Sequence, residues 1–212
     1  MVRHLTHDAR NGLNSVDLQA AYVAELAVDD ETRAEVKQLR VMISSATKLF
    51  QSLSARFWVA TPHLVTYSAP MFLEDFRDRL KRTLQNRANE ITWTGEVAEI
   101  PLRVDVEMIF SGLSEFFKNA FDFREAGQQI AAHAASKDGH FQIELREGKT
   151  VLPSPPAQWG VDPLISTRRD GYGLGLFHAR QILALHEADL TFDYDSSAGR
   201  LTTRITFPIA EA

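Results

Sequence analysis

Gly171-Tyr172-Gly173-Leu174-Gly175-Leu176 is the stretch from which the fold can be read. Glycines at alternate positions lead directly into Leu176, Ala179, Ile182 and Leu183, which are spaced for one face of a helix over Leu174 to Leu185. Glycine lets backbone N–H groups come close to a phosphate, and the first turn of a helix adds free donors and a favourable dipole. The turn follows the polar run Ser166-Thr167-Arg168-Arg169-Asp170. Working outward, His140 to Leu145, Leu190 to Tyr194 and Leu201 to Phe207 alternate as strands, and His63 to Ser68 does so earlier. Phe72, Phe76, Leu80 and Leu84 line one face of a helix, and Ile91 to Trp93 and Leu102 to Val104 are short strands. Asp105 is placed to cap a helix running to about Phe123, with Ile109, Leu113, Phe116 and Ala120 on its core side. Helices and strands mix without strict βαβ alternation, which predicts an α+β two-layer sandwich.

The amino-terminal part differs in kind. Val36, Leu39, Ile43, Ala46, Phe50, Leu53 and Phe57 recur at spacings of three and four, a heptad seam. Leu5, Ala9, Gly12 or Leu13, Val16, Ala20, Val23 and Ala27 keep the same rhythm, and Asp29-Asp30 separates the runs at a natural helix start. This predicts an all-α helical hairpin over residues 1–60, divided at Thr61-Pro62 from a second domain over 61–212. A hairpin leaves its seam uncovered, so two copies are expected to form a four-helix bundle, the alternative being a hairpin packed on the rest of its own chain.

Composition narrows the function. With 23 Lys+Arg against 28 Asp+Glu and no basic block, a nucleic-acid backbone is an unsuitable partner. Zero cysteines exclude disulfides, thiolate metal sites and cysteine nucleophiles. No apolar run approaches the roughly 20 residues that cross a bilayer, which predicts a soluble, cytoplasmic chain with no membrane segment.

Two further constellations carry chemistry. His7, Asn11 and Asn14 share one helical face with Arg10, opposite the seam, and Asp8 stands beside the imidazole. A neutral imidazole nitrogen is a competent nucleophile toward phosphorus, and a neighbouring carboxylate can fix its tautomer. His4 competes, without the acid and amide at matching offsets. On the helix from Asp105, Glu115 and Asn119 lie one turn apart, a carboxylate and an amide oxygen that can hold a hydrated Mg²⁺.

Leu5 to Asn14 resembles the H box of bacterial sensor histidine kinases, Phe116-Phe117-Lys118-Asn119-Ala120 resembles the N box of the kinase and gyrase (GHKL) ATPase superfamily, and Gly171 to Leu176 resembles its G2 box. The resemblance implies a histidine kinase catalytic core, a dimerisation and phosphotransfer hairpin followed by an ATPase-type sandwich. It implies that ATP phosphorylates His7 with help from Asp8 and Glu115, that Asn11 helps position water for dephosphorylation, and that the phosphoryl group passes to a response-regulator aspartate. It further implies Mg²⁺ on Asn119 and Glu115, and nucleotide contacts from Thr167, Arg168, Gly171, Gly173, Leu174, Gly175 and Leu176. The sequence departs from the pattern at the G1 box. Counting back from the glycine turn places Glu147-Gly148-Lys149-Thr150-Val151 there, so Glu147 replaces the aspartate that accepts from the adenine amine, while Lys149 and Val151 replace glycines and are expected to crowd the base. Asp122 stands where a basic residue commonly meets phosphate, Gly12 where the H box usually has proline. The degenerate G1 box leaves a second expectation open, an ATP-independent histidine phosphotransferase or scaffold.

Overall fold

The computed structural model describes residues 2–57, 61–137, 139–152, 154–166 and 173–209, and in the amino-terminal helices it describes the side chains of residues 9–51. The chain forms two compact units, Met1–Val59 and Ala60–Ala212.

The first unit is a hairpin of α1 (Val2–Leu26) and α2 (Asp30–Phe57). Asp29 starts α2: its carboxylate accepts from the Thr32 backbone N–H at 2.7 Å and the Thr32 hydroxyl at 2.8 Å, and these bonds lower its pKa. Asp30 and Glu31 add negative charge to the first turn, where the helix dipole favours it. Arg40 meets Asp17 across the hairpin at 2.9 Å and fixes the register. Ala20, Val36 and Ile43 are buried between the helices, with Leu13 and Ala24 packed beside them. The expected seam therefore divides. Val36 and Ile43, seven residues apart, form one buried row, whereas Leu39, Val16 and Val23 remain 46%, 50% and 41% exposed. The second row is thus left open on the surface of the single hairpin.

The second unit has a five-stranded sheet, in spatial order β2 (Ile91–Thr94), β4 (Ile130–Lys137), β5 (His140–Gly148), β7 (Arg200–Pro208) and β6 (Asp189–Asp195). β2 runs parallel to β4, and the other neighbours are antiparallel. A small antiparallel pair joins β1 (Val65–Ser68) to β3 (Pro101–Val104). Strict alternation along β7 buries Leu201, Thr203, Ile205 and Phe207 on one face. Helices α3 (Ala69–Leu84) and α4 (Val106–Asp122) cover that face through aromatic contacts. Phe72 stands edge-on to Phe110, Phe141 and Phe207 at 5.0, 5.6 and 5.7 Å, and Phe76 and Trp93 extend the cluster to Phe117. The result is a two-layer sandwich, as the mixed order of elements predicts. β4 escapes the sequence reading because Ile130-Ala131-Ala132-His133-Ala134-Ala135 is alanine-rich, and alanine carries little strand signal.

Asp105 joins three segments. Its carboxylate caps α4 by accepting from Met108 N–H at 3.1 Å and also accepts from His63 N–H at 2.8 Å, while its own N–H donates to His186 Nε2 at 3.0 Å. Since Nε2 accepts, the ring proton is on Nδ1, which faces the Ile182 carbonyl at 2.7 Å. His186 ends α5 (Gly175–Leu185), so this ring pins the end of α5 to the start of α4.

Beyond His186, Ala188 N–H bonds Leu183 O at 3.0 Å and Glu187 N–H bonds Ala184 O at 3.2 Å, a Schellman closure with Glu187 at φ +53°. That conformation favours glycine. Glu187→Gly is expected to raise stability by about 0.5–1 kcal/mol, read as a higher urea midpoint at unchanged slope.

Candidate functional site

α4 and α5 run antiparallel, a direction set by the Asp105–His186 bond at one end. Gly112 gives the register, because a Cβ there would lie 3.2 Å from Ile182. Seven residues along α4 from Gly112 is Asn119, and seven residues back along α5 from Ile182 is Gly175. From that contact α4 continues toward the end that carries Asn119, and α5 runs back toward its start at Gly175. Glu115 and Asn119 are both half-buried, on the shoulder of α4 beside Gly112 and clear of the row Ile109, Leu113, Phe117 and Ala120. Among the described residues no cluster of three or more His, Cys, Asp or Glu is placed to hold a metal.

The glycine turn is shaped by close backbone approach. Gly173 has φ +63°, and a Cβ on it would fall 2.4 Å from the Ile165 carbonyl oxygen, so only glycine fits. Its own carbonyl accepts from Leu164 N–H at 3.3 Å. Leu174 is buried and anchors the turn, and Gly175 and Leu176 open α5 with first-turn N–H groups that have no partner within the helix. Thr167, Arg168 and Gly171 lie outside the described residues, as do the side chains of His7 and Asp8. Asn11 is exposed on α1, in line with Asn14.

The loop ahead of the turn is held by Arg180, a residue that sequence reasoning missed. Its guanidinium donates to the Trp159 carbonyl at 2.5 Å and the Ala157 carbonyl at 2.9 Å, and lies 5.5 Å over the Phe192 ring. Burial lowers its pKa. The Trp159 ring meets Phe192 edge-on at 6.0 Å and donates to Ser154 at 2.9 Å. An arginine within an apolar helical face was the available signal.

The segment that replaces the G1 glycines is closed. Glu147 and Lys149 are 6% and 5% exposed, with their charged groups 3.2 Å apart. The Lys149 ammonium also donates to the Phe123 carbonyl at the C-terminal end of α4, where the helix dipole favours a cation. Burial raises the pKa of the Glu147 carboxyl, and Lys149 works against that shift. Around the pair, Lys149 N–H bonds Gly199 O at 2.7 Å, and Glu125 accepts from the Thr150 N–H and hydroxyl at 2.8 and 2.9 Å. The Tyr194 hydroxyl donates to the Lys149 and Thr150 carbonyls at 3.2 and 3.1 Å. The two side chains expected to crowd a base thus behave differently: Lys149 turns inward, while Val151 is 74% exposed. Asp122, the reversed charge, faces Arg87 at 3.4 Å. The first turn of α5 thus offers backbone N–H groups of the kind a phosphate accepts from, whereas the carboxylate of Glu147 is already engaged.

No protein-family model matches the chain. It is 26% identical over 202 residues to the sensor histidine kinase ZraS of Klebsiella oxytoca, covering 92% of this chain and 42% of that protein. Among solved structures it is similar to full-length ShkA in complex with AMPPNP, with TM-score 0.69 and 22% identity over 100% of this chain and 46% of that one. It is also similar to the mycobacterial sensor histidine kinase MprB, with TM-score 0.56 and 17% identity over 70% of this chain and 99% of that one. The chain spans less than half the length of ZraS and ShkA. In sequence it resembles the sensor histidine kinase catalytic core, and it carries the fold of that core. Among the described residues, no helix is long and apolar enough to cross a membrane.

Proposed function

We propose that the chain is the histidine kinase core of a two-component system, phosphorylated on His7 from ATP and passing the phosphoryl group to an aspartate of a receiver domain. The observation that carries this reading is the similarity to the sensor histidine kinase ZraS over 92% of the chain, supported by the close backbone approach that makes Gly173 a glycine just ahead of α5. ATP supplies the transferable γ-phosphoryl group. Gly173, Gly175 and Leu176 offer backbone donors to its phosphates, with Leu174 anchoring the turn and Thr167, Arg168 and Gly171 completing it. Asn119 and Glu115 would hold a hydrated Mg²⁺, and Glu147 would accept from the base. The free ring nitrogen of His7 attacks the γ-phosphorus and forms a P–N bond as the P–O bond to the departing ADP breaks, Asp8 accepts a hydrogen bond from the N–H of the other ring nitrogen, and Asn11 positions water for later hydrolysis of the phosphohistidine. The protein works in the cytoplasm, and the core is of the GHKL type.

One observation favours a second reading, an ATP-independent phosphotransferase or scaffold in which His7 is loaded by a phosphorylated receiver: the carboxylate of Glu147 is bonded to Lys149. Incubation with Mg²⁺ and γ-labelled ATP, compared with incubation with a phosphorylated receiver, tests both. Label from ATP supports the kinase, label from the receiver alone supports the phosphotransferase, and label from neither refutes both.

The open row Val16, Val23 and Leu39 suits a second copy of the hairpin, which would complete a four-helix bundle. A Val23→Glu, Leu39→Glu variant is expected to run as a monomer in sedimentation at concentrations where the parent is a dimer. Unchanged mass would remove this face from the interface.

A further inference from the structure

We infer that Lys149 is a resident competitor for the base-recognition carboxylate, occupying on Glu147 the acceptor that an adenine amine would need, so that nucleotide affinity is governed by this one ion pair. The inference rests on the reading of Glu147 as the acceptor for the base.

Three observations carry it. First, both side chains are buried and their charged groups are 3.2 Å apart, so the contact is an enclosed pair rather than a passing surface encounter. Second, the ammonium is held from its other side by the Phe123 carbonyl, and withdrawing it strips two acceptors at once. Third, the backbone that carries Lys149 is fixed by Gly199, Glu125 and Tyr194, so the lysine cannot leave by a simple swing of its loop. An adenine amine is a neutral donor. Set against an ammonium, it offers the carboxylate a hydrogen bond without a counter-charge, and the displaced ammonium must find new partners. The exchange therefore runs against the base. Gln128 adds to the closure, since it lies so near Gly148 that a Cβ there would fall 2.0 Å from its amide oxygen.

The test is calorimetric titration of the whole chain with Mg²⁺-ADP and with the Mg²⁺ complex of purine riboside diphosphate, whose base has hydrogen in place of the exocyclic amine. Wild type is expected to bind the two within a factor of about three, because the acceptor that tells them apart is taken. Lys149→Gly and Lys149→Met are expected to bind ADP at least about tenfold more tightly than wild type, with little gain for purine riboside diphosphate. Lys149→Met keeps the volume of the stem and serves if the glycine variant fails to fold. Three results would overturn the inference: wild type preferring ADP over purine riboside diphosphate by tenfold or more, folded variants binding ADP no better than the parent, or equal gains for both nucleotides. The readout uses no chemistry at His7. A chain that never labels His7 yet shows the ADP gain loses the kinase reading and keeps this one, and labelling with no gain does the reverse.

Discussion

His7→Ala is expected to reduce phosphoryl uptake by more than about a hundredfold, whichever donor is used, because the reaction loses its nucleophile outright. The product bears a P–N bond, so the label should be lost in acid and kept in base. α1 runs unbroken through position 7, and residues 7, 11 and 14 follow one line along it, on which Asn11 and Asn14 are exposed. A phosphoacceptor on that line would be open to a donor from outside the hairpin. Asp8→Asn should leave the nucleophile but lose the group that fixes its tautomer, slowing uptake by roughly a hundredfold at unchanged donor affinity. His4→Ala should change neither quantity. Label that survives in His7→Ala and disappears in His4→Ala would move the acceptor one turn along α1.

Much of the fold could be read from periodicity, because the core-facing residues are large. The phenylalanines of α3 and α4 recur at helical spacing, and the buried residues of β7 recur at every second position. Where the core is built from alanine the signal fades, and β4 is found only from its pairing with β2 and β5. The helix caps at Asp29 and Asp105 were legible because a short acceptor before a helical run has one obvious use. The site was legible where it depends on backbone shape: Gly173 is glycine because Ile165 leaves no room for a Cβ. It was not legible where it depends on side chains meeting across the fold. Lys149 read as an obstruction beside a base, and only the packing of β5 against the end of α4 turns it into the partner of Glu147. Arg180 was missed for the same reason, since its partners lie 21 and 23 residues away in sequence.

Glu147→Leu is expected to cost about 3–5 kcal/mol of stability, the largest single effect foreseen for the second unit, because it leaves the Lys149 ammonium buried without its counter-charge. Adding Lys149→Leu should restore most of that loss, bringing the double variant within about 1 kcal/mol of the parent, since a buried ion pair replaced by apolar groups of similar size is often neutral. The cycle of four proteins, followed by urea unfolding, should thus return a coupling of at least about 2 kcal/mol. Acid dependence gives a second check with a definite sign. Burial raises the folded pKa of Glu147 above its ordinary value of about 4.3, so its contribution to stability is fully present below that value and is lost as pH rises through the folded one. Glu147→Leu lacks this dependence, and the stability gap between it and the parent should narrow as pH rises over that window. Glu144 acts in the opposite sense: burial works against its charge, but hydrogen bonds from Arg146 and Arg204 hold its pKa below the usual range. It is present in every protein of the cycle and cancels from the difference. A coupling near zero would mean that Lys149 draws its stability from the Phe123 carbonyl alone and that Glu147 is free for another donor, whereas a gap that widens with pH would mean that Lys149 outweighs burial and holds the Glu147 pKa down.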